Sequence, residues 1–392
     1  MSGLRLALIS RRFWPLVDET ETALAELAEE FQRRGHQVRL VTPQWQSHWP
    51  REMFYREVPI LRLPHPTTPA WGTLRYRYAL SQWLKSERDT LDAVLVSQHR
   101  HDAYSATGML AGSRAAVVLQ AEGSGAGGDC DWQRTARFGL RIRRRCQQAD
   151  AFIATSPAVA QELQEAAYPP HRIHTLAPGV AIPPPRSPVQ RTAARLALGN
   201  VNYDLRTEPT APVVLCAARL HDSSRLSDLI SAWGPIAERW PQARLWLIGD
   251  GPAREDLFRQ VCDLGLKYQI ALPGGFDALE ELYQAADVCV LPTDRSEGTG
   301  TLLSAMASGL PVVACDHPER REFLSHEQTG LVVPPRDTRA LTIALTRLLE
   351  SPTLAVQLGS RARAFAQEHH SLAPSAQRYL DLIEQTVREK RG

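Results

Sequence analysis

Short, unbroken apolar runs recur through both halves of the chain, and they constrain the fold more than any other feature of the sequence. In the first half they are LALIS (6–10), QVRLVT (37–42), ILRL (60–63), DAVLVS (92–97), AAVVLQA (115–121) and AFIATS (151–156). Runs of Val, Ile and Leu without polar alternation predict strands covered on both faces, as in a parallel sheet. The intervening segments supply the cover. TETALAELAEEFQRRG sets Leu24, Leu27 and Phe31 on one helical face and stops at Gly35, a residue suited to a left-handed helix end. SPAVAQELQEA opens with Ser156 as N-cap and Pro157 at the first helical position. The grammar lapses over 178–212, where PGVAIPPPRSP and a polar stretch stand. It resumes with PVVLCAA (212–218), ARLWLIG (243–249), IALPG (270–274), DVCVLP (287–292), LPVVACD (310–316) and GLVVPP (330–335). The expectation is α/β: two doubly wound, Rossmann-like domains over 1–185 and 212–370, a linker at 186–211, and a C-terminal helix at 371–392 packing back toward the first domain.

Composition limits what such a chain can do. With 392 residues, 43% of them hydrophobic, there is material for two cores. A formal charge of +2 lacks the basic excess of a dedicated nucleic-acid binder, so small molecules or surfaces are the expected partners. The six cysteines show no C-x-x-C spacing and suit a reducing cytoplasm. No apolar run reaches the roughly 18 residues of a membrane span, which leaves a soluble or peripheral chain.

Ligands of open parallel sheets bind beyond the carboxyl ends of the strands, so the turns there are the places to search. SRRFWPLVDETE, after the first strand, contains no G-x-G-x-x-G, which argues against a nicotinamide enzyme. LIGDGPARED sets Gly249, Asp250 and Gly251 ahead of a helix expected from Pro252, a turn whose amides can face an anion. SEGTGTLLSAMASGLPVVA repeats the device, with Gly298 and Gly300 ahead of a helix expected from about Thr301 to Ser308.

Five segments in order, PVVLCAARLHDSSRLSDLISAW, LIGDGP, LPGGFDALEELYQAADVCVLPT, SEGTGTLLSAMASGLPVVACD and TGLVVPPRDTRAL, resemble the nucleotide-binding half of the GT-B retaining glycosyltransferases of family 4. SRRFWP, HDAY and AEGSG resemble the same family's amino-terminal half, so the likeness covers nearly the whole chain. The resemblance implies a nucleotide-diphosphate sugar on the second domain and a glycan or lipid-linked acceptor mainly on the first. No cofactor and no metal are implied. Arg219 matches the Arg that meets the diphosphate; Ser224 stands where a Lys belongs, with Arg225 one residue on. The family carries two glutamates separated by seven residues. Ser304 occupies the second position, while Glu297 precedes it by one residue fewer than the pattern requires. Thr299 and Thr301 complete the donor turn with Gly298 and Gly300. Where the family has a Gly-Gly turn, Asp18 and Glu19 stand instead. A carboxylate about 6 Å from a phosphate charge is repelled by on the order of 3 kcal/mol at an effective dielectric near 20, so these acids are expected to pair with Arg11 and Arg12.

On the first domain, His101 stands where the family places a histidine beside the reacting sugar; a loop histidine bonded to a backbone carbonyl is the plain alternative for His101 and His99. Glu122, ahead of the glycine-rich 123–128, and Arg12 are the acceptor-side candidates, the loop serving as pocket wall, lid or plain surface. WQRTARFGLRIRRRC sets Arg134, Arg137, Arg141, Arg144 and Arg145 on one face of a helix expected over 132–146, beside Trp132, Phe138 and Leu140. That face suits solvent, an acidic acceptor or anionic lipid at the inner surface of a membrane. The sequence therefore reads as a retaining glycosyltransferase with His101 and Glu297 catalytic. A catalytically silent GT-B protein binding nucleotide or glycan, and a sugar-nucleotide epimerase, are the alternatives.

Overall fold

Each apolar run becomes a strand, and each amphipathic segment packs over the sheet it leaves. A computed structural model describes residues 3–14, 19–65, 69–276, 279–295 and 297–392, with the side chains at 19 and 69–71 outside that description. The chain forms two units, Met1–Gly179 with Leu372–Gly392, and Val180–Ser371.

The first unit runs β1 (Arg5–Ile9), α1 (Glu19–Arg33), β2 (Gln37–Gln44), β3 (Glu52–Tyr55), β4 (Val58–Pro64), α2 (Pro69–Ser86), β5 (Ala93–Ser97), α3 (His101–Met109), β6 (Ala116–Ala121), α4 (Asp129–Thr135), α5 (Gly139–Cys146), β7 (Ala151–Ala154), α6 (Pro157–Glu165) and β8 (Ile173–Thr175). Its sheet has the order β3-β4-β2-β1-β5-β6-β7-β8. Only the β3–β4 pairing among these is antiparallel. Strand order reverses between β1 and β5, and the turns after these two strands at the carboxyl edge are where open sheets of this kind bind ligands. Leu24, Leu27 and Phe31 of α1 are buried, and Gly35 ends the helix at φ 87°. Each such side chain contributes roughly 1.5–3 kcal/mol by leaving water.

The second unit runs α7 (Pro188–Val201), β9 (Val213–Ala217), α8 (Leu226–Arg239), β10 (Arg244–Ile248), α9 (Arg254–Asp263), β11 (Ile270–Gly274), α10 (Glu280–Ala285), β12 (Val288–Leu291), α11 (Thr299–Ala307), β13 (Val312–Cys315), β14 (Leu331–Val333), α12 (Thr338–Glu350) and α13 (Pro352–His369). The all-parallel order β11-β10-β9-β12-β13-β14 reverses between β9 and β12. The last helix, α14 (Leu372–Arg391), belongs to the first unit. It buries Tyr379, Leu380, Ile383 and Val387 in the core that α1 covers, and Lys390 reaches Asp150 at 2.6 Å.

Two expectations about organisation need correction. Residues 186–211 are not a bare linker, because α7 lies within them as part of the second unit. Ser187 and Gln190 form a reciprocal capping box with Pro188 at the first turn, so the prolines mark a helix start. Arg195, nearly fully buried, binds Asp287 at 2.7 Å, and Arg191 binds the other carboxylate oxygen at 2.7 Å. Nor is there one basic helix over 132–146. Ala136 is extended at φ −72° and ψ 145°, ending α4, and Gly139 starts α5 so close to Gln133 that a Cβ would lie 2.0 Å from its carbonyl oxygen. Arg143 turns inward to Gln133 Oε1 at 3.3 Å, and Arg134 pairs with Asp131 at 2.5 Å. Among the described residues no helix is long and apolar enough to cross a membrane.

Candidate active site

In the second unit the two turns flanking the strand-order reversal carry most of the donor-side candidates. After β9 the chain leaves through Arg219, whose residue is exposed, into a short 3-10 turn at Asp222–Ser224. Arg225 follows in the left-handed region at φ 57° and ψ 26°, caps α8, and pairs with Asp228 at 2.5 Å. Ser224 is only 2% exposed and its Oγ finds no hydrogen-bond partner among the described residues. The side chain at the family's Lys position thus points into the fold, and Arg225 holds the nearby positive charge.

The neighbouring G-D-G turn is packed closely against the chain that leaves β9. Gly249, at φ 143°, lies so close to the chain after β9 that a Cβ would sit 1.9 Å from the Ala218 carbonyl oxygen, and at Gly251 the same test gives 2.3 Å to Leu220. Their amides are engaged as well: Gly249 N donates to Gly274 O at 2.9 Å, and Gly251 N to Asp250 Oδ1 at 2.8 Å. Helix α9 starts at Arg254, not Pro252. These glycines permit close backbone packing, and both amides are paired within the fold.

After β12 come Thr293, Asp294, Arg295 and Glu297; Ser296 lies outside the described residues. Thr293 Oγ1 donates to the Ser223 carbonyl at 3.5 Å, a long bond joining this turn to the one after β9. The Glu297 side chain is 52% exposed and 3.8 Å from Arg295. Gly298 then adopts φ 96° and caps α11 without a side chain, so the helix starts at Thr299, two residues earlier than expected, and includes Gly300 and Thr301 in its first turn. Ser304 lies half-buried further along the same helix. One residue that sequence reasoning missed governs this turn. Arg320, almost wholly buried, donates to the carbonyls of Thr293 at 2.8 Å, Cys315 at 3.0 Å and Glu297 at 2.7 Å, and also to that of Arg295. PERREF reads locally as a polar turn, and no spacing rule flags a guanidinium whose partners are backbone oxygens.

In the first unit Arg12, His101 and Glu122 follow β1, β5 and β6, three adjacent strands, at one edge of the sheet. His101 opens α3, and its ring meets Trp132 edge-on at 5.2 Å. Burial, then the charges of Arg77, Arg11 and Arg100, lower its pKa to about 4, so the imidazole is neutral near pH 7. The next residue, Asp102, is buried; it lies 3.7 Å from Arg11 and accepts from the Tyr76 hydroxyl at 3.3 Å. Arg11 stacks on Tyr76 at 4.7 Å and donates to Thr73 at 3.0 Å. The partner expected for Arg11, the acid pair at 18 and 19, lies outside the described residues (Asp18 wholly, Glu19 in its side chain). Arg12 is half-buried.

Glu122 is held by Ser97 Oγ and Gln98 Nε2, both at 2.6 Å. Gln98 reaches it from the left-handed region, φ 74°, which is strained for a residue with a Cβ. Burial raises the Glu122 pKa to about 7, with Asp129 adding to the rise and Ser97, Gln98 and Arg100 opposing it. Asp129, missed in the sequence, is buried and ties the two turns together. Its carboxylate accepts from the amides of His99 at 2.9 Å and Glu122 at 3.0 Å, and from Arg100 Nε at 2.9 Å. The glycine-rich loop between them is anchored at Gly125 N by Glu162 and at Gly127 N by Asp131, at 2.5 and 3.0 Å. Among the described residues no three His, Cys, Asp or Glu side chains converge as metal ligands.

Two parallel-sheet α/β units with polar turns at both strand-order reversals define the GT-B architecture. Residues 20–182 match the model of Glycosyltransferase Family 4, and residues 211–351 match that of Glycosyl transferases group 1; the chain belongs to this family and is a glycosyltransferase that uses nucleotide-sugar donors. It is 29% identical over 271 residues, 66% of this chain and 68% of the relative, to the GDP-mannose-dependent alpha-(1-6)-phosphatidylinositol monomannoside mannosyltransferase of Mycolicibacterium smegmatis. Sucrose-phosphate synthase of Thermosynechococcus elongatus superposes with a TM-score of 0.81 at 21% identity, over 97% of this chain and 98% of that one. Anabaena HepE, solved in complex with UDP-glucose, superposes with a TM-score of 0.77 at 18% identity, over 99% and 100%.

Proposed function

We propose that the chain moves a glycosyl group from a nucleoside diphosphate sugar to a glycan or lipid-linked acceptor, with retention of anomeric configuration. The observation that carries the donor side is the pairing of two turns at the β9/β12 reversal. One bears Arg219 and Arg225, and the other leads through Glu297 into the glycine-capped start of α11. In this reading the two guanidiniums and the positive end of α11 hold the diphosphate, and they stabilise the negative charge that grows on it as the anomeric C–O bond breaks. The electron pair of that bond leaves on the β-phosphate oxygen. The acceptor hydroxyl forms the new bond and gives up its proton to that oxygen. Glu297 binds sugar hydroxyls with its exposed carboxylate, and Thr299, Thr301 and Ser304 offer hydroxyls along the same helix. His101, kept neutral by burial and three arginines, can both donate to and accept from sugar hydroxyl groups. Glu122 and Arg12 take the acceptor side. The donors named for the similar proteins, GDP-mannose and UDP-glucose, are the first to test on this chain.

The test is a thermal-shift panel of nucleotide sugars followed by nucleotide release on the purified chain, since only a ligand that favours the folded form raises the midpoint. At least one nucleotide sugar should raise Tm and turn over, and Glu297→Ala should abolish turnover with Tm unchanged. A panel in which none binds and none turns over refutes the proposal, as does full activity of Glu297→Ala. The anomeric outcome is read by NMR on the first product obtained.

A further inference from the structure

We infer that Arg320 is the positioning residue of the donor turn, a buried guanidinium that fixes the path of the chain from Thr293 to Glu297 and so presents Glu297 and the start of α11 to the nucleotide sugar; this rests on the donor assignment above. Among the described residues, four backbone carbonyls converge on one side chain. Two segments supply them: Thr293, Arg295 and Glu297 from the turn after β12, and Cys315 from the end of β13. Cys315 is the rigid side of this bridge, since β13 is hydrogen-bonded to β12 and to β14 and fully buried. The turn is the side that needs holding. Its side chains are engaged at the rim, where Arg336 binds Asp294 at 2.9 Å and Arg295 lies 3.8 Å from Glu297. A chain turning toward solvent with its carbonyls pointing inward requires buried donors, and a planar guanidinium supplies several in one fixed fork.

The placement of Arg320 accounts for its own rigidity. It begins a 3-10 turn at Arg320–Glu322, and the two residues after that turn, Phe323 and Leu324, are buried in the core that also contains Leu291, Leu302 and Leu303. The arginine, the strand before the turn and the helix after it therefore share one packed base. Lysine at 320 keeps the charge but gathers its donors on a single nitrogen, which cannot span carbonyls of two segments. Charge alone is thus insufficient, and the fork geometry is the requirement.

The experiment compares the full-length wild-type chain with Arg320→Lys and Arg320→Ala by amide hydrogen exchange and by calorimetric binding of UDP and GDP. Exchange at 293–295 and 297–301 should rise at least about tenfold in both variants while β9, β10 and β13 keep their protection, and nucleotide affinity should fall by about tenfold or more. Guanidinium chloride at low millimolar concentration should restore part of the affinity in Arg320→Ala and none in Arg320→Lys, a readout that a merely structural side chain would not give. If Arg320→Ala does not fold, Arg320→Lys carries the exchange comparison alone. Unchanged exchange in the turn, or unchanged nucleotide affinity in a folded variant, overturns the inference. A wild-type chain that binds neither UDP nor GDP overturns the donor assignment for those bases, and exchange in the turn still decides whether Arg320 holds it.

Discussion

Asp129 takes the backbone amide of Glu122 on its Oδ2 at 3.0 Å, and that bond fixes the end of β6 from the far side of the glycine-rich loop. The same oxygen receives the amide of His99 at 2.9 Å, and Oδ1 receives Arg100 Nε at 2.9 Å. Asparagine at 129 can keep both amides on its single oxygen, but its NH2 group then faces the guanidinium it should attract. Asp129→Asn is expected to lower stability by about 1.5–3 kcal/mol, the usual worth of a hydrogen bond to a charged group. Urea unfolding followed on the first unit's tryptophans measures this. A loss smaller than about 0.5 kcal/mol would show that the knot is not energetically important.

Glu122 predicts a pH dependence of definite sign. Burial raises its pKa to about 7 from an ordinary 4.5, with Asp129 next in effect. A carboxyl whose pKa is higher in the folded chain binds a proton more tightly there, so its favourable contribution is complete below about pH 4.5 and is lost as pH rises toward 7. Glu122→Gln imitates the protonated form at every pH. The difference in unfolding free energy between Glu122→Gln and wild type should therefore grow between pH 4.5 and 7 and level off above. His101, whose pKa is lowered to about 4, acts in the opposite sense: its contribution is present above pH 6.5 and lost as pH falls toward 4, so the Glu122 term must be read as a difference between variants. A flat difference across that window would put the Glu122 pKa near its ordinary value.

The strands were legible because burial on both faces leaves a local signature, an unbroken apolar run, and each run named from the sequence lies on a strand. Two short strands at the edges of the first sheet's order, β3 with EMFY and β8 with IHT, leave no such trace, because an edge strand is covered less completely. Proline misled at 186–211, where Pro188 starts α7 and does not break a helix; what holds that helix down is Asp287, 92 residues beyond Arg195. The basic stretch at 132–146 has a helical pattern in one dimension, but the extended Ala136 and the close approach of Gly139 to Gln133 divide it between two helices, α4 and α5. The candidate site residues were chosen by position and residue type, on turns after strands. Asp129 and Arg320 were missed for a shared reason: both bind backbone groups of other segments, and the identity of a backbone partner is invisible in sequence.

Gly249 separates a packing role of the G-D-G turn from a phosphate-binding one. A methyl group there would lie 1.9 Å from the Ala218 carbonyl oxygen, and φ 143° is unfavourable for any residue with a Cβ. Backbone on both sides leaves no flexible atom to yield. Gly249→Ala should destabilise the second unit by about 3 kcal/mol or more, whether or not a nucleotide is present. Were the glycine there for phosphate approach, the variant would instead keep its apo stability and lose only the nucleotide-induced rise in Tm. Thermal unfolding with and without UDP distinguishes these outcomes.

Arg225 separates function from stability in a single substitution. Its φ of 57° places a branched-off Cβ in the left-handed region, a conformation glycine adopts without cost, so Arg225→Gly relieves strain that the native chain carries. The relief is on the order of 1 kcal/mol. Against it stands the loss of the Asp228 pair, whose two side chains are 29% and 28% exposed and which, near the surface, contributes about 0–1 kcal/mol. The two terms nearly cancel, and Arg225→Gly should unfold within about 1 kcal/mol of wild type. Arg225→Ala keeps the strain, loses the pair, and should be the less stable of the two. If Arg225 supplies the charge that Ser224 does not, both variants should bind UDP and GDP at least about tenfold more weakly, the equivalent of one charge-assisted hydrogen bond. Equal nucleotide affinity in wild type and Arg225→Gly would remove Arg225 from the donor side and leave Arg219 as the cation of that turn.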